Sequence, residues 1–97
     1  MKKIVDLREY APIISTKETG DIIFNKIVEA NPKSNVVEIN MGGIKSMATF
    51  CANQIFGRLY KELKPEVFAK NIIIKNASDD VRPIIQLGIR FAISNNE

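Results

Sequence analysis

Apolar and polar residues along this chain are arranged so that strand-like and helix-like segments alternate three times. Short apolar runs at Lys3–Arg8, Val36–Met41 and Ile72–Ile74 are typical of β-strands. After each run, apolar residues recur every three or four positions, which predicts an amphipathic helix. Strand–helix order repeated in this way indicates parallel strand pairing with right-handed crossovers. We therefore predict an α/β fold with a mostly parallel sheet.

The first predicted helix begins at a capping box, with Ser15 as the N-cap and Glu18 at the N3 position. Gly20 lies in its first turns and predicts a close approach of this helix to the sheet. The segment Asn31–Asn35 contains a proline and ends the helix. The apolar residues of the helix form its predicted buried stripe: Ile23, Phe24, Ile27, Val28 and Ala30.

A glycine turn, Gly42–Gly43, ends the second strand and leads toward a second helix predicted from about Met47 to Leu63. Ser46 and Thr49 are both candidate N-caps for this helix. The positions that define its apolar stripe follow a four-residue spacing: Cys51, Ile55, Leu59 and Leu63.

Three features shape the second half of the chain. Gly57 lies inside the second predicted helix, where a glycine lowers helix stability by about 1 kcal/mol relative to alanine. Because this loss needs a reason, we predict that Gly57 packs closely against a neighbour. Lys64–Pro65 ends the helix, and one helical turn is predicted around Val67–Phe68. The β-branched run Ile72–Ile74 indicates a strand that is covered on both faces or lies at the centre of the sheet.

The last predicted helix starts at Ser78–Asp80, where hydroxyl and acidic groups suit a helix N-terminus. Pro83 falls in or near its first turn, where the missing N–H costs least. Its predicted buried residues are Val81, Ile84, Ile85, Gly88, Phe91 and Ala92.

Composition narrows the classes of protein to be considered. Ninety-seven residues with 45% hydrophobic and 26% charged side chains are typical of one globular domain, 1–97. The single cysteine, Cys51, excludes an internal disulfide and fits a reducing compartment. No apolar run suits a signal peptide or a membrane span, so we expect a cytoplasmic protein without a membrane association.

Charge is distributed unevenly along the chain. Residues 1–44 carry six basic and six acidic side chains, whereas residues 45–75 carry six basic and two acidic ones. Such a basic region suits an acidic partner or a phosphate backbone. However, several of these bases fall near a helix C-terminus, where cations favour the helix dipole, and no aromatic residues alternate with them. We therefore do not expect nucleic-acid binding.

The candidate chemistry of the chain is sparse. Gly42–Gly43 invites a phosphate-binding interpretation, but the glycine spacing of the phosphate and dinucleotide loops is missing, so a simple turn is favoured. Cys51 has no histidine to activate it, because the chain contains none. Asp79 and Asp80 are adjacent and do not face each other on a helix. We expect no enzyme activity, no cofactor and no metal site. A module binding a small anion or nucleotide at the glycine turn remains the alternative.

The chain resembles the STAS family, named after sulfate transporters and anti-sigma-factor antagonists. In that family an apolar strand carrying Asp leads through Gly-Val-x-x-Ile to Asp-Ser-Ser-Gly, and the segment Val37–Cys51 follows the same spacing. The family's later strand and Asn-x-Ser-x-x-Val are matched by Ile72–Val81. Gly43–Gly57 is closer still to the STAS-like DUF4325 group, whose pattern is Gly-Val-x-x-apolar-x-x-Ser-Phe-x-Asp-Glu-apolar-apolar-Gly. The resemblance spans Ile4–Ile93 and implies a small STAS-like α/β domain.

The chain departs from these patterns at informative positions. Thr49 falls where anti-sigma antagonists carry the phosphorylated serine, but Ala48 replaces the preceding aspartate. Asn40, Asn53 and Gln54 occupy positions that are acidic in the STAS-like pattern. An amide keeps hydrogen-bonding shape while removing charge, which weakens the expectation of a kinase-controlled switch.

The resemblance implies a non-enzymatic regulatory domain that docks a protein partner, such as a kinase-like regulator, through the start of the second helix. Thr49 is the candidate phosphoacceptor, and a homo-oligomer stays open. The expected contact residues come from the glycine turn, the second helix and the last strand–helix loop: Asn40, Gly42, Gly43, Lys45, Ser46, Ala48, Thr49, Asn53, Asn76, Ser78 and Asp79.

Overall fold

A computed structural model of the chain describes residues 2–94. In chain order, the strands are β1 (Lys2–Asp6), β2 (Ile13–Ile14), β3 (Val36–Asn40), β4 (Ser46–Met47) and β5 (Ile72–Lys75). The helices are α1 (Lys17–Glu29), α2 (Thr49–Ala52), α3 (Arg58–Asn71) and α4 (Arg82–Ser94). A short 3-10 turn at Arg8–Tyr10 follows β1, and a π-helical turn at Asn53–Gly57 joins α2 to α3.

The main sheet has the strand order β1-β3-β5, and both pairings are parallel, which confirms the predicted α/β architecture. Its core face carries Val5, Val37, Ile39 and Ile72, which are all buried. On the other face, Ile4 pairs in register with Glu38 and is largely exposed. None of the described helices is both long and apolar enough to cross a membrane.

The predicted place of Ile72–Ile74 in the sheet was wrong. These residues form most of β5, which lies at an edge of the main sheet, and β3 is the central strand. Ile72 is buried, but Ile73 and Ile74 are only partly buried. The continuous β-branched run therefore overstated how deeply this strand is buried.

A second, two-stranded sheet was not predicted. Strands β2 and β4 pair in parallel, with Ile13 opposite Ser46 and Ile14 opposite Met47. Each strand has only two residues, which is too short for the alternation of apolar and polar residues to reveal it. This pairing ties the segment after the glycine turn to the segment before α1.

The helix starts differ from the predictions. Thr16, not Ser15, is the N-cap of α1, and its hydroxyl accepts a hydrogen bond from the N–H of Thr19 at 3.1 Å. For α2 the N-cap is Ala48, without a side-chain bond, because Ser46 belongs to β4 and Thr49 is already helical. The three candidate caps Ser15, Ser46 and Thr49 were therefore wrong.

The predicted stripe of the second helix is confirmed: Cys51, Ile55, Leu59 and Leu63 are all buried. The chain leaves helical geometry at Lys64, just before Pro65, and resumes it up to Asn71. Proline disfavours the α conformation in the residue before it, which explains this break.

Two residues assigned to the core are instead exposed. Val28 on α1 is 43% exposed, and Phe91 on α4 is 46% exposed. Both lie at the margin of their helix's apolar stripe, where spacing alone does not decide burial. The other residues of the two predicted stripes are buried or partly buried.

Glycines allow α4 and α1 to approach the helical segment after β4. A Cβ on Gly88 would lie 2.6 Å from the backbone of Ala52 and Asn53, and one on Gly57 would lie 2.7 Å from the carbonyl oxygen of Gly88. The close packing predicted at Gly57 is thus confirmed. Gly20 also permits a close approach, but its neighbour is the Gln54 side chain and not the sheet.

Candidate functional site

The carboxyl ends of β3 and β5 are joined by one side chain. The Asn40 Oδ1 accepts hydrogen bonds from the Gly42 N–H at 3.0 Å and from the Asn76 Nδ2 at 2.9 Å. The backbone adds to this link, because the Met41 N–H donates to the Lys75 carbonyl at 2.9 Å. The arrangement fixes the start of the glycine turn. Because only the oxygen of Asn40 accepts bonds here, an aspartate could serve the same structural purpose.

An ion pair lies beside this link and was not anticipated from the sequence. The Arg8 guanidinium makes three hydrogen bonds to the two carboxylate oxygens of Asp6, at distances of 2.6 to 3.0 Å, and the Arg8 backbone N–H adds a fourth at 3.0 Å. These bonds lower the pKa of Asp6 to about 2. The Arg8 side chain also packs against Gly42, where a Cβ would meet it at 3.4 Å. The pair therefore forms one wall of the turn.

The glycine turn itself is closed by internal hydrogen bonds. Gly43 has a φ of 80°, which favours glycine, as the turn prediction required. The N–H groups of Lys45 and Ser46 both donate to the Pro12 carbonyl, at 2.7 and 3.3 Å, and the Ile44 N–H donates to Met41. The backbone donors that would cradle an anion are thus largely engaged with the protein itself.

Thr49 and Asn53 lie in a different environment. Together with three apolar side chains they line a groove of about 490 Å³ between α2 and α4; we call it the α2–α4 groove, formed by Thr49, Phe50, Asn53, Leu87 and Phe91. Phe50 is 56% exposed and Leu87 is 42% exposed. The groove is therefore apolar and open to solvent, with a hydroxyl and an amide on one wall.

The helix that carries this groove is held against α1 by Gln54. Its Nε2 donates to the Asp21 carboxylate at 2.6 Å and to the Lys17 carbonyl at 3.0 Å. The Gln54 Oε1 is buried without a hydrogen-bond partner among residues 2–94. Reversing the amide would point oxygen at both acceptors, so the observed orientation is the favoured one.

Cys51 packs inside the same helical segment. It is fully buried, its Sγ lies 3.4 Å from the Thr16 carbonyl oxygen, and burial raises the pKa of the thiol. A raised pKa and the lack of access both oppose thiolate chemistry. The residue fits the predicted structural thiol.

The structure divides the predicted contact residues into groups. Asn40, Gly42 and Asn76 are joined by hydrogen bonds, whereas Thr49 and Asn53 line the α2–α4 groove. The other predicted residues have local structural roles. Gly43 forms the turn, and the backbone N–H groups of Lys45, Ser46 and Ala48 donate to the carbonyls of Pro12 and Ile14. The Ser78 hydroxyl accepts a hydrogen bond from the Val81 N–H, and Asp79 lies in the exposed turn before α4.

Sequence reasoning missed the apolar walls of the groove. Phe50 had no predicted role, Leu87 was not singled out, and Phe91 was assigned to the core. The position of Leu87 four residues before Phe91, on one helix face, was the signal that could have paired them. The π-helical turn Asn53–Gly57, which positions Asn53, left no recognisable pattern in the sequence.

Comparison with models of protein families supports the family resemblance, whereas comparison with individual proteins finds no relative. No curated protein and no solved structure matches the chain. The family model described as a STAS-like domain of unknown function (DUF4325) matches residues 19–82, from the first turn of α1 to the start of α4. This range includes the glycine turn and the whole second helical segment. The chain therefore belongs to the DUF4325 family of STAS-like domains.

Proposed function

We propose that this STAS-like domain is a non-enzymatic regulatory module that docks a partner protein through the α2–α4 groove. The observation that carries the proposal is the exposure of Phe50, Leu87 and Phe91 around Thr49 and Asn53. Contiguous exposed apolar side chains are uncommon on soluble domains and mark interaction surfaces. Aromatic residues are enriched at the centres of such interfaces.

The backbone beneath the groove supports the same proposal. The turn Asn53–Gly57 is π-helical, and π-helical turns within helices are frequent at functional sites. It is also well anchored, since Gly57 and Gly88 bring α4 into close contact with it. A rigid support reduces the loss of conformational entropy when a partner binds.

Thr49 is the proposed point of control. It is the first residue of α2 and is partly exposed beside Phe50 and Leu87. A phosphate there would be favoured by the helix N-terminus and would place charge at the edge of an apolar interface. Incubation with ATP and host lysate, followed by intact mass measurement, should show one added phosphate that is lost in Thr49→Ala but kept in Ser46→Ala. An unchanged mass would refute this control.

The alternative, a small anion held at Gly42–Gly43, is less well supported because the N–H groups of Gly42, Ile44, Lys45 and Ser46 are engaged within the protein. A thermal-shift series with nucleotides and inorganic anions tests it directly. A rise in melting temperature with one of these ligands would favour that alternative.

Site-specific photo-crosslinking tests the docking proposal. Phe50 is replaced by a photoreactive phenylalanine derivative, and Ile22 on α1, which is 48% exposed, provides the matched control position. Irradiation in the native host should yield a discrete protein adduct from position 50 and not from position 22. Identical adducts from both positions, or none from position 50, would contradict the proposal.

A further inference from the structure

The α2–α4 groove continues into a second hollow along the same helices. Asn53 and Phe91 line both depressions, and the second one also contains Arg58, Lys61 and Glu62. An apolar groove thus opens directly onto a margin that carries two basic side chains and one acidic one, which we call the basic margin. The combined surface runs along α4, whose 13 residues extend about 20 Å.

The helical segments that carry this surface are more basic than the remaining chain, and of their charged residues Arg58, Lys61 and Glu62 line the second hollow. Segments 49–64 and 82–94 together contain five basic residues and one acidic residue, whereas the rest of the chain contains nine basic and ten acidic residues. The acidic residue is Glu62, and its carboxylate is paired with Arg58 at 3.2 Å. No carboxylate within residues 2–94 forms an ion pair with Lys61. Lys61 therefore offers a positive charge beside the groove.

We propose that the α2–α4 groove binds an acidic amphipathic helix of a partner protein. This inference rests on the proposed docking function and specifies the chemistry of the partner. Apolar side chains of such a helix would pack among Phe50, Leu87 and Phe91, and its carboxylates would face Lys61. Helix-in-groove recognition of this kind uses apolar residues at three- and four-residue spacing.

Charge also argues against two other occupants. A second copy placed face to face would bring two basic margins together, which costs binding energy. A nucleic acid is held mainly through its phosphates, and none of the five side chains that form the groove is basic. An acidic helix satisfies both the apolar groove and its basic margin.

The test is a displayed library of amphipathic helices of about 14 residues, which matches the length of α4 at about 1.5 Å per residue. The apolar stripe is fixed, and the flanking positions vary among Glu, Lys, Gln and Ala. Selection on the full chain should enrich Glu at the flanking positions. Selection on Lys61→Glu should remove that enrichment or reverse it in favour of Lys, because the charge of the margin is inverted.

Matched variants locate the binding. Leu87→Ser should weaken the enriched peptide by about tenfold or more, whereas Ile22→Ser on α1 should leave its affinity unchanged. Both residues are about equally exposed, so a general loss of surface hydrophobicity is controlled. Circular dichroism of both variants verifies that they remain folded.

Several results would overturn the inference: no preference for Glu, equal binding to Leu87→Ser, or a dimer of the chain that Leu87→Ser dissociates. Salt-sensitive binding of nucleic acid that is lost in Leu87→Ser would do the same. These failures are distinct from failure of the docking function. If position 50 still crosslinks specifically to a partner, the docking site stands and only the acidic-helix chemistry is refuted.

Discussion

Gln54→Glu replaces one amide nitrogen by oxygen and should destabilise the fold far more than its small change in shape suggests. The Gln54 Nε2 donates to the Asp21 carboxylate at 2.6 Å and to the Lys17 carbonyl at 3.0 Å. A carboxylate at this position has no hydrogen to donate, so both bonds are lost. It also places two negative charges in contact.

The size of the effect follows from these contacts. Each hydrogen bond contributes about 1 kcal/mol to the free energy of unfolding. Because Asp21 is exposed, water can replace part of its lost hydrogen bonding, so we expect a loss of about 1–2 kcal/mol for the two bonds together. Like-charge repulsion at this distance adds about 1 kcal/mol near a hydrated surface. We therefore expect the free energy of unfolding to fall by about 2–3 kcal/mol at neutral pH, which lowers the melting temperature by about 10 °C or more.

The dependence on pH separates the two contributions. Repulsion from Asp21 raises the pKa of the introduced carboxyl above its value in the unfolded chain. The folded state of Gln54→Glu is therefore destabilised as the pH rises through that pKa. Its deficit in the free energy of unfolding, relative to the wild type, shrinks as the pH falls toward about 4. Gln54→Met loses the same bonds without adding charge. Its deficit should be about 1–2 kcal/mol and should depend much less on pH.

Urea unfolding of the three proteins, followed by far-UV circular dichroism at neutral and acidic pH, provides the measurement. Equal stability of Gln54→Glu and the wild type would refute the role assigned to the amide. So would a deficit for Gln54→Glu that is the same at both pH values. Confirmation would show that this position of the chain requires an amide because Asp21 and the Lys17 carbonyl face it.

Three further predictions concern the scaffold of the groove. Gly88→Ala places a Cβ against the backbone of Ala52 and should lower the free energy of unfolding by about 3 kcal/mol in the same urea assay; a loss below about 1 kcal/mol would contradict the observed packing. Lys64→Gly should raise the melting temperature by about 4–8 °C, because Lys64 has a φ of 72° and a ψ of 154°, a backbone conformation that only glycine adopts readily. The control Lys61→Gly, in regular helix, should lower the melting temperature. A decrease for both variants would refute backbone strain at Lys64. Cys51 should resist alkylation by iodoacetamide in the folded protein and react in urea, as read by intact mass, and rapid modification without denaturant would contradict its burial.

The sequence was sufficient for the architecture because long periodic segments carry strong signals. The three parallel strands, the four buried positions from Cys51 to Leu63 and the turn at Gly43 all followed from spacing or from glycine chemistry. Features that depend on a few residues were lost. The pairing of β2 with β4 involves two residues in each strand, and the choice of Thr16 over Ser15 as N-cap depends on one residue of register.

The candidate site was only partly predictable. Thr49 and Asn53 were identified through their positions in the family pattern, and the structure places both in the α2–α4 groove. Phe91 was assigned to the core because its spacing places it on the apolar stripe of the last predicted helix. Here the close contact at Gly88 fixes the rotation of α4, which leaves Leu87 and Phe91 exposed. Such a rotation results from tertiary packing and has no local sequence signature.

Hydrogen–deuterium exchange of the chain, measured with and without the partner protein that crosslinking at position 50 identifies, tests the docking surface most directly. Amides in α2, in the π-helical turn and in the second half of α4 should gain protection when the partner is added, while α1 and β1 should exchange as they do in the free chain. This distribution would agree with binding in the α2–α4 groove. Protection confined to β1 or α1, with no change around Phe50 and Phe91, would contradict it.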